Sequence, residues 1–74
     1  MAVDEKKIDE AVLALLYLTL HEGRAWKSFD WDTMNRLYRD GFIEDPVSKT
    51  KSVVLTEKGL AQSKLLFEKL FCKA

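Results

Sequence analysis

The chain has 74 residues, of which 47% are apolar and 32% charged, with twelve Lys and Arg against twelve Asp and Glu. That length allows one domain, residues 1–74, which buries only about 60% of the surface its unfolded chain exposes, and the composition is globular rather than disordered. Neutral net charge excludes a bulk attraction to nucleic acid, and the single Cys72 and single His21 exclude both an intramolecular disulfide and a metal site shared between them.

The first predicted element is a helix from about Asp4, its N-cap, to His21, with Gly23 placed to stop it. Ahead of it, Met1 to Lys7 mixes both signs of charge and lacks the order of a signal peptide. The apolar run from Ala11 to Leu20 is shorter than the roughly 20 residues of a membrane span. A cytoplasmic protein with no membrane partner is therefore expected. Within the helix, Ile8, Ala11, Val12, Leu15, Leu16 and Leu18 form one broad apolar face, while Leu13, Tyr17 and Leu20 form a stripe on roughly the opposite side. A helix apolar nearly all round must be covered on more than one side, and so small a chain has little with which to cover both. Leu13, Tyr17 and Leu20 are accordingly expected at a homodimer interface.

Gly23 to Phe29 reads as a seven-residue loop carrying Arg24, Trp26, Lys27 and Phe29. Its aromatics, with Trp31, are interleaved with Arg24 and Lys27, a mixture that could stack bases or a peptide, but the favoured expectation is that they plug the core, since that is how a small domain gains buried area; Trp26 is the one expected to stay partly exposed. Asp30 then caps a short helix, Trp31 to about Asp40, and Phe29 is placed to pack on Met34 as a hydrophobic staple. Gly41 closes this helix in the left-handed conformation. A hairpin follows, with Phe42 to Glu44 and Ser52 to Leu55 as its strands and a turn started by Asp45-Pro46. Thr56 caps the last helix, whose face Leu60, Ser63, Leu66, Phe67, Leu70 and Phe71 points inward.

Two resemblances rest on these residues. Leu37, Gly41-Phe42-Ile43 and Ser52-Val53-Val54-Leu55-Thr56-Glu57-Lys58-Gly59 resemble the wing region of the multiple-antibiotic-resistance and phenolic-acid-type winged-helix regulators. In those regulators a helix ending in Gly-Leu-Ile leads through a basic wing to Leu-Thr-x-x-Gly, so the resemblance implies the back half of a winged helix. Over its whole length, including Lys7 to His21 and Arg24 to Trp31, the chain is similar to a family of short bacterial proteins of unknown function, which implies no activity. The departure from the regulators is the front half: a helix-turn-helix needs a positioning helix joined by a turn of about 3–4 residues, and the stretch from Gly23 to Phe29 has no room for one. The expected fold is α+β and truncated winged-helix-like, ordered helix, loop, helix, β-hairpin, helix.

For function, the expectation is a small non-enzymatic protein without cofactors or metal, working as a homodimeric interaction module with an unspecified protein partner. No glycine-rich phosphate loop, nucleophile motif or zinc motif is present. The surface expected to meet a partner is Trp26, Lys27, Asn35, Arg36, Arg39, Lys49 and Lys51, where basic and aromatic residues gather. The alternative is a DNA-binding accessory regulator that uses the outward residues of the short helix, Asp32, Thr33, Asn35, Arg36 and Arg39, with Lys49 and Lys51 on the wing. It is not favoured, because Asp30 to Asp40 sets two arginines against three aspartates and such a face repels phosphate.

Overall fold

A computed structural model describes residues 1–73. Its elements are α1 (Glu5–Leu18), β1 (Arg24–Trp26), α2 (Trp31–Arg39), β2 (Ser52–Val54) and α3 (Glu57–Phe71). Three helices with a small antiparallel sheet make an α+β arrangement whose layout is consistent with a winged-helix-like topology. All three N-caps are the expected ones: the side chains of Asp4, Asp30 and Thr56 accept the backbone N–H of Lys7, Thr33 and Gly59.

Two local features differ from the sequence reading. The segment expected to be a loop supplies strand β1, which pairs with β2 in the register Arg24↔Val54, Ala25↔Val53 and Trp26↔Ser52. The expected first hairpin strand, Phe42 to Glu44, contributes an isolated bridge, Ile43↔Leu55, and one further bond from Glu44 N to the Val54 carbonyl. The physical cause lies at the end of α1, which stops at Leu18. Glu22 and Gly23 both have positive φ, 52° and 78°, and His21 and Arg24 exchange both backbone hydrogen bonds across them, the pattern of a tight two-residue hairpin turn. The turn throws the chain back along β2, and Leu55 N donates to the Gly23 carbonyl at 3.0 Å.

The outer edge of β1 is capped rather than open. Arg24 is satisfied by His21, and Trp26 N donates to Thr19 Oγ1 at 3.0 Å. No further strand can add at those positions, which removes the usual hazard of an edge.

The core lies where α1 crosses α3, with α2 and β1 also against α1. Leu13, Leu16, Met34, Leu37 and Ile43 are at most 1% exposed, and each such burial contributes roughly 1.5–3 kcal/mol. The junction of α2 and α3 explains the Leu-Thr-x-x-Gly sequence. Gly41, at φ 84°, closes α2 with bonds from Gly41 N to Tyr38 O and from Phe42 N to Leu37 O, the paired bonds of a Schellman motif. Thr56 then donates from Oγ1 to the Gly41 carbonyl at 2.6 Å and from its N–H to the Phe42 carbonyl at 3.0 Å. A Cβ on Gly59 would stand 1.8 Å from that same Phe42 oxygen, so only glycine lets α3 start there. Lys58 completes the joint, with Nζ donating to the Asp40 carbonyl at 2.8 Å and lying 4.5 Å from the Phe42 ring centre.

Candidate interaction surfaces

The short helix α2 keeps less charge for a partner than its sequence suggests. Arg36 reaches across to α1: its Nε donates to both Asp9 oxygens at 2.9 Å, Nη2 to Asp9 Oδ1 at 2.8 Å, and Nη1 to Glu5 Oε2 at 3.1 Å. Nη2 also donates to Thr33 Oγ1 at 3.2 Å, and Thr33 in turn donates to the capping Asp30. The hydrogen bonds to Asp9, helped by the nearby negative charge of Asp9, Glu5 and Asp30, raise the Arg36 pKa against the opposing effect of burial. Arg36 is thus a joint between helices, its side chain only 16% exposed, and the expectation that it faces a partner is corrected. Thr33, also expected outward, is buried. Asp32, Asn35 and Arg39 remain exposed, with Arg39 lying 3.4 Å from Asp40. The pairing of Arg36 joins residues 27 apart in sequence, and no local pattern announces it.

On the wing, Trp26 is 51% exposed, as expected, whereas Trp31 is 56% exposed and does not plug the core; Phe29 does pack against it. Lys27 is committed to structure, its Nζ donating to Pro46 O, Ser48 O and Ser48 Oγ at 2.8, 3.0 and 2.8 Å. That clamp shapes the tip and leaves Lys49 and Lys51 exposed. Arg24, which the sequence reading did not place on this surface, joins it: Nε donates to Ser52 Oγ at 2.8 Å and Nη2 to Thr50 Oγ1 at 3.5 Å.

The expected division of α1 into two apolar faces does not hold, since Leu16 of the broad face is buried and Val12 packs against the core together with residues of the other stripe. Leu13 is 1% exposed, Leu20 packs against the core, and Tyr17 stacks on Phe67 with ring centres 5.3 Å apart. Leu13 is thus fully covered by its own chain, and Tyr17 and Leu20 are half-buried by it. Asp9, Leu13 and Leu16 lie four and three residues apart on one side of the helix, so the rotation that brings Asp9 to Arg36 is the one that buries Leu13 and Leu16. Ile8 and Leu18, on the other side, are left 39% and 64% exposed, with Ala11 and Leu15 half-buried between them.

A cleft of about 380 Å³ between α1, α2 and α3 has Leu13, Leu37 and Phe42 in its wall and the Arg36 ion pairs at its rim. Among the described residues no group of three or more His, Cys, Asp or Glu could hold a metal ion. His21 and Cys72 are exposed. No helix among the described residues is long and apolar enough to cross a membrane.

Comparison with known proteins agrees with the whole-length resemblance. A family model described as a domain of unknown function (DUF6429) matches residues 4–73. The "Uncharacterized protein y4hR" of Sinorhizobium fredii (strain NBRC 101917 / NGR234) is 60% identical over 74 residues, covering 99% of this chain and 100% of that protein. No solved structure matches. The match over nearly all of the described fold, from the Asp4 cap to the end of α3, makes this chain a member of the DUF6429 family.

Proposed function

We propose that this protein is a homodimeric interaction module without catalytic chemistry of its own, pairing through the outer face of α1. The observation that carries the reading is the unpartnered stripe Ile8, Ala11, Leu15 and Leu18. Its sequence is self-complementary. Ile8 and Leu18 stand five residues either side of the middle of the stripe, and Ala11 and Leu15 stand two either side. A second copy laid antiparallel about a twofold axis sets Ile8 against Leu18 of its partner and small Ala11 against larger Leu15, an isologous contact.

From Ile8 to Leu18 the stripe is about 15 Å long and about 10 Å wide, less than the roughly 800 Å² per partner of a standard interface. Leu70 and Phe71, 46% and 48% exposed, share a groove with Ala11 and extend the apolar area. The contact is therefore modest, and its population depends on concentration.

Duplex reading by α2 has less support, because Arg36 is paired to Asp9 and Glu5. Sedimentation velocity from low to high micromolar concentration tests the dimer. The mass is expected to rise to that of two chains in the native protein and to stay at one chain in Leu18→Glu with unchanged circular dichroism. A native protein that remains one chain throughout contradicts it.

A further inference from the structure

We propose that the outer face of the β1–β2 sheet, with the tip between Pro46 and Ser52, binds single-stranded nucleic acid, Trp26 stacking on a base while Arg24, Lys49 and Lys51 meet phosphates. In β1 the buried residue is Ala25, so Arg24 and Trp26 both stand on the exposed face, about 6.6 Å apart along the strand. The ring of Trp26 is half open to solvent. Such a surface, an aromatic plane beside cations, takes bases without reading their edges.

The cations here are of a different kind from those of α2. Arg36 and Arg39 each have a carboxylate partner, whereas among the described residues Arg24, Lys27, Lys49 and Lys51 have none. Arg24 and Lys27 are held instead by hydroxyls and carbonyls, while Lys49 and Lys51 are exposed beside them. Lys27 Nζ binds Ser48 Oγ at 2.8 Å, Ser48 Oγ lies 2.8 Å from Thr50 Oγ1, and Arg24 ties Thr50 to Ser52. This chain of bonds fixes the tip, so that ordering it costs little when a ligand arrives.

The occupant follows from what surrounds the patch. A duplex would need a second contact from α2, whose Asp32 and Asp40 are exposed and whose Arg36 is neutralised. An acidic peptide would satisfy the cations but leave Trp26 without a stacking partner. Glu22 and Glu44 border the face and are exposed, which limits the contact to a short segment and about three phosphates.

The test uses the full chain with Trp31→Phe, so that fluorescence reports Trp26 alone, titrated with oligothymidylate. Quenching is expected, and binding should weaken roughly 20-fold between 50 and 200 mM salt, as about three phosphate contacts on a single strand require. Anisotropy of a labelled oligonucleotide then compares variants: Trp26→Ala should weaken binding about tenfold or more, and K49E/K51E should flatten the salt dependence. The proposal is overturned by an absence of quenching, by duplex of the same sequence binding as tightly, by polyglutamate competing equally at matched charge, or by a folded Trp26→Ala that binds unchanged.

Discussion

Gly59→Ala tests the joint that gives the chain its winged-helix-like back half. The added Cβ would lie 1.8 Å from the Phe42 carbonyl oxygen and 2.8 Å from its carbon, where an ordinary non-bonded separation is about 3.5 Å. The obstacle is backbone, so no rotamer change relieves it. The first turn of α3 must withdraw from residues 41–43 by more than an ångström. That movement breaks the bonds from Thr56 N to Phe42 O at 3.0 Å and from Thr56 Oγ1 to Gly41 O at 2.6 Å. Each lost bond costs about 1 kcal/mol and the residual overpacking about 1–3 kcal/mol, while alanine returns about 1 kcal/mol of helix propensity. The net loss is about 2–4 kcal/mol, a large share of the roughly 4–11 kcal/mol available to a domain of this size. Urea denaturation followed by far-ultraviolet circular dichroism should show the midpoint falling steeply, while exposed Lys64→Ala leaves it nearly unchanged. A Gly59→Ala protein as stable as the native one would refute the close-approach argument.

The turn after α1 offers the opposite sign. Glu22 holds φ 52°, a conformation that is unfavourable for most side chains but routine for asparagine, and Glu22→Asn creates the Asn-Gly pair preferred in two-residue hairpins. It should stabilise by about 0.5–1 kcal/mol and raise the melting temperature by a few degrees; a lowered melting temperature would count against the assigned turn. Arg36→Gln should lower the melting temperature and speed amide exchange in α2. Because the folded Arg36 pKa is raised, chiefly by its hydrogen bonds to Asp9, its contribution is fully present below the ordinary arginine value and lost only as pH rises through the higher folded one. The gap between native and variant melting temperatures should therefore be alike at about pH 6 and about pH 10. A gap that closes at the higher pH would mean that the pair is not what holds α2.

Much of the architecture could be read directly where its cause is local. Asp4, Asp30 and Thr56 cap helices because a short polar side chain reaches an N–H three residues on, and Gly41 closes α2 because the left-handed position favours glycine. What could not be read depends on contacts distant in sequence. Strands of three residues carry no period strong enough to name their partner, so Arg24–Trp26 looked like a loop until β2 was beside it. The helix α1 is apolar nearly all round, which left its rotation undetermined; in the fold Asp9 meets Arg36 while Leu13 and Leu16 are buried. The same pair removes Arg36 from the surface. Lys27 was expected on the partner surface, but the carbonyls of Pro46 and Ser48 come to it only when the wing folds.

The most direct measurement on the proposed dimer reads its register. In a Cys72→Ser background, equimolar Ile8→Cys and Leu18→Cys proteins are mixed and oxidised mildly. In the antiparallel arrangement residue 8 meets residue 18 of the partner, whereas two copies of residue 8 lie about 15 Å apart along the helices, beyond the roughly 7 Å that a disulfide tolerates between Cα atoms. The mixture should give a cross-linked heterodimer quickly and either protein alone very little. Equal cross-linking of Ile8→Cys with itself, or none in the mixture, would contradict pairing through the outer face of α1.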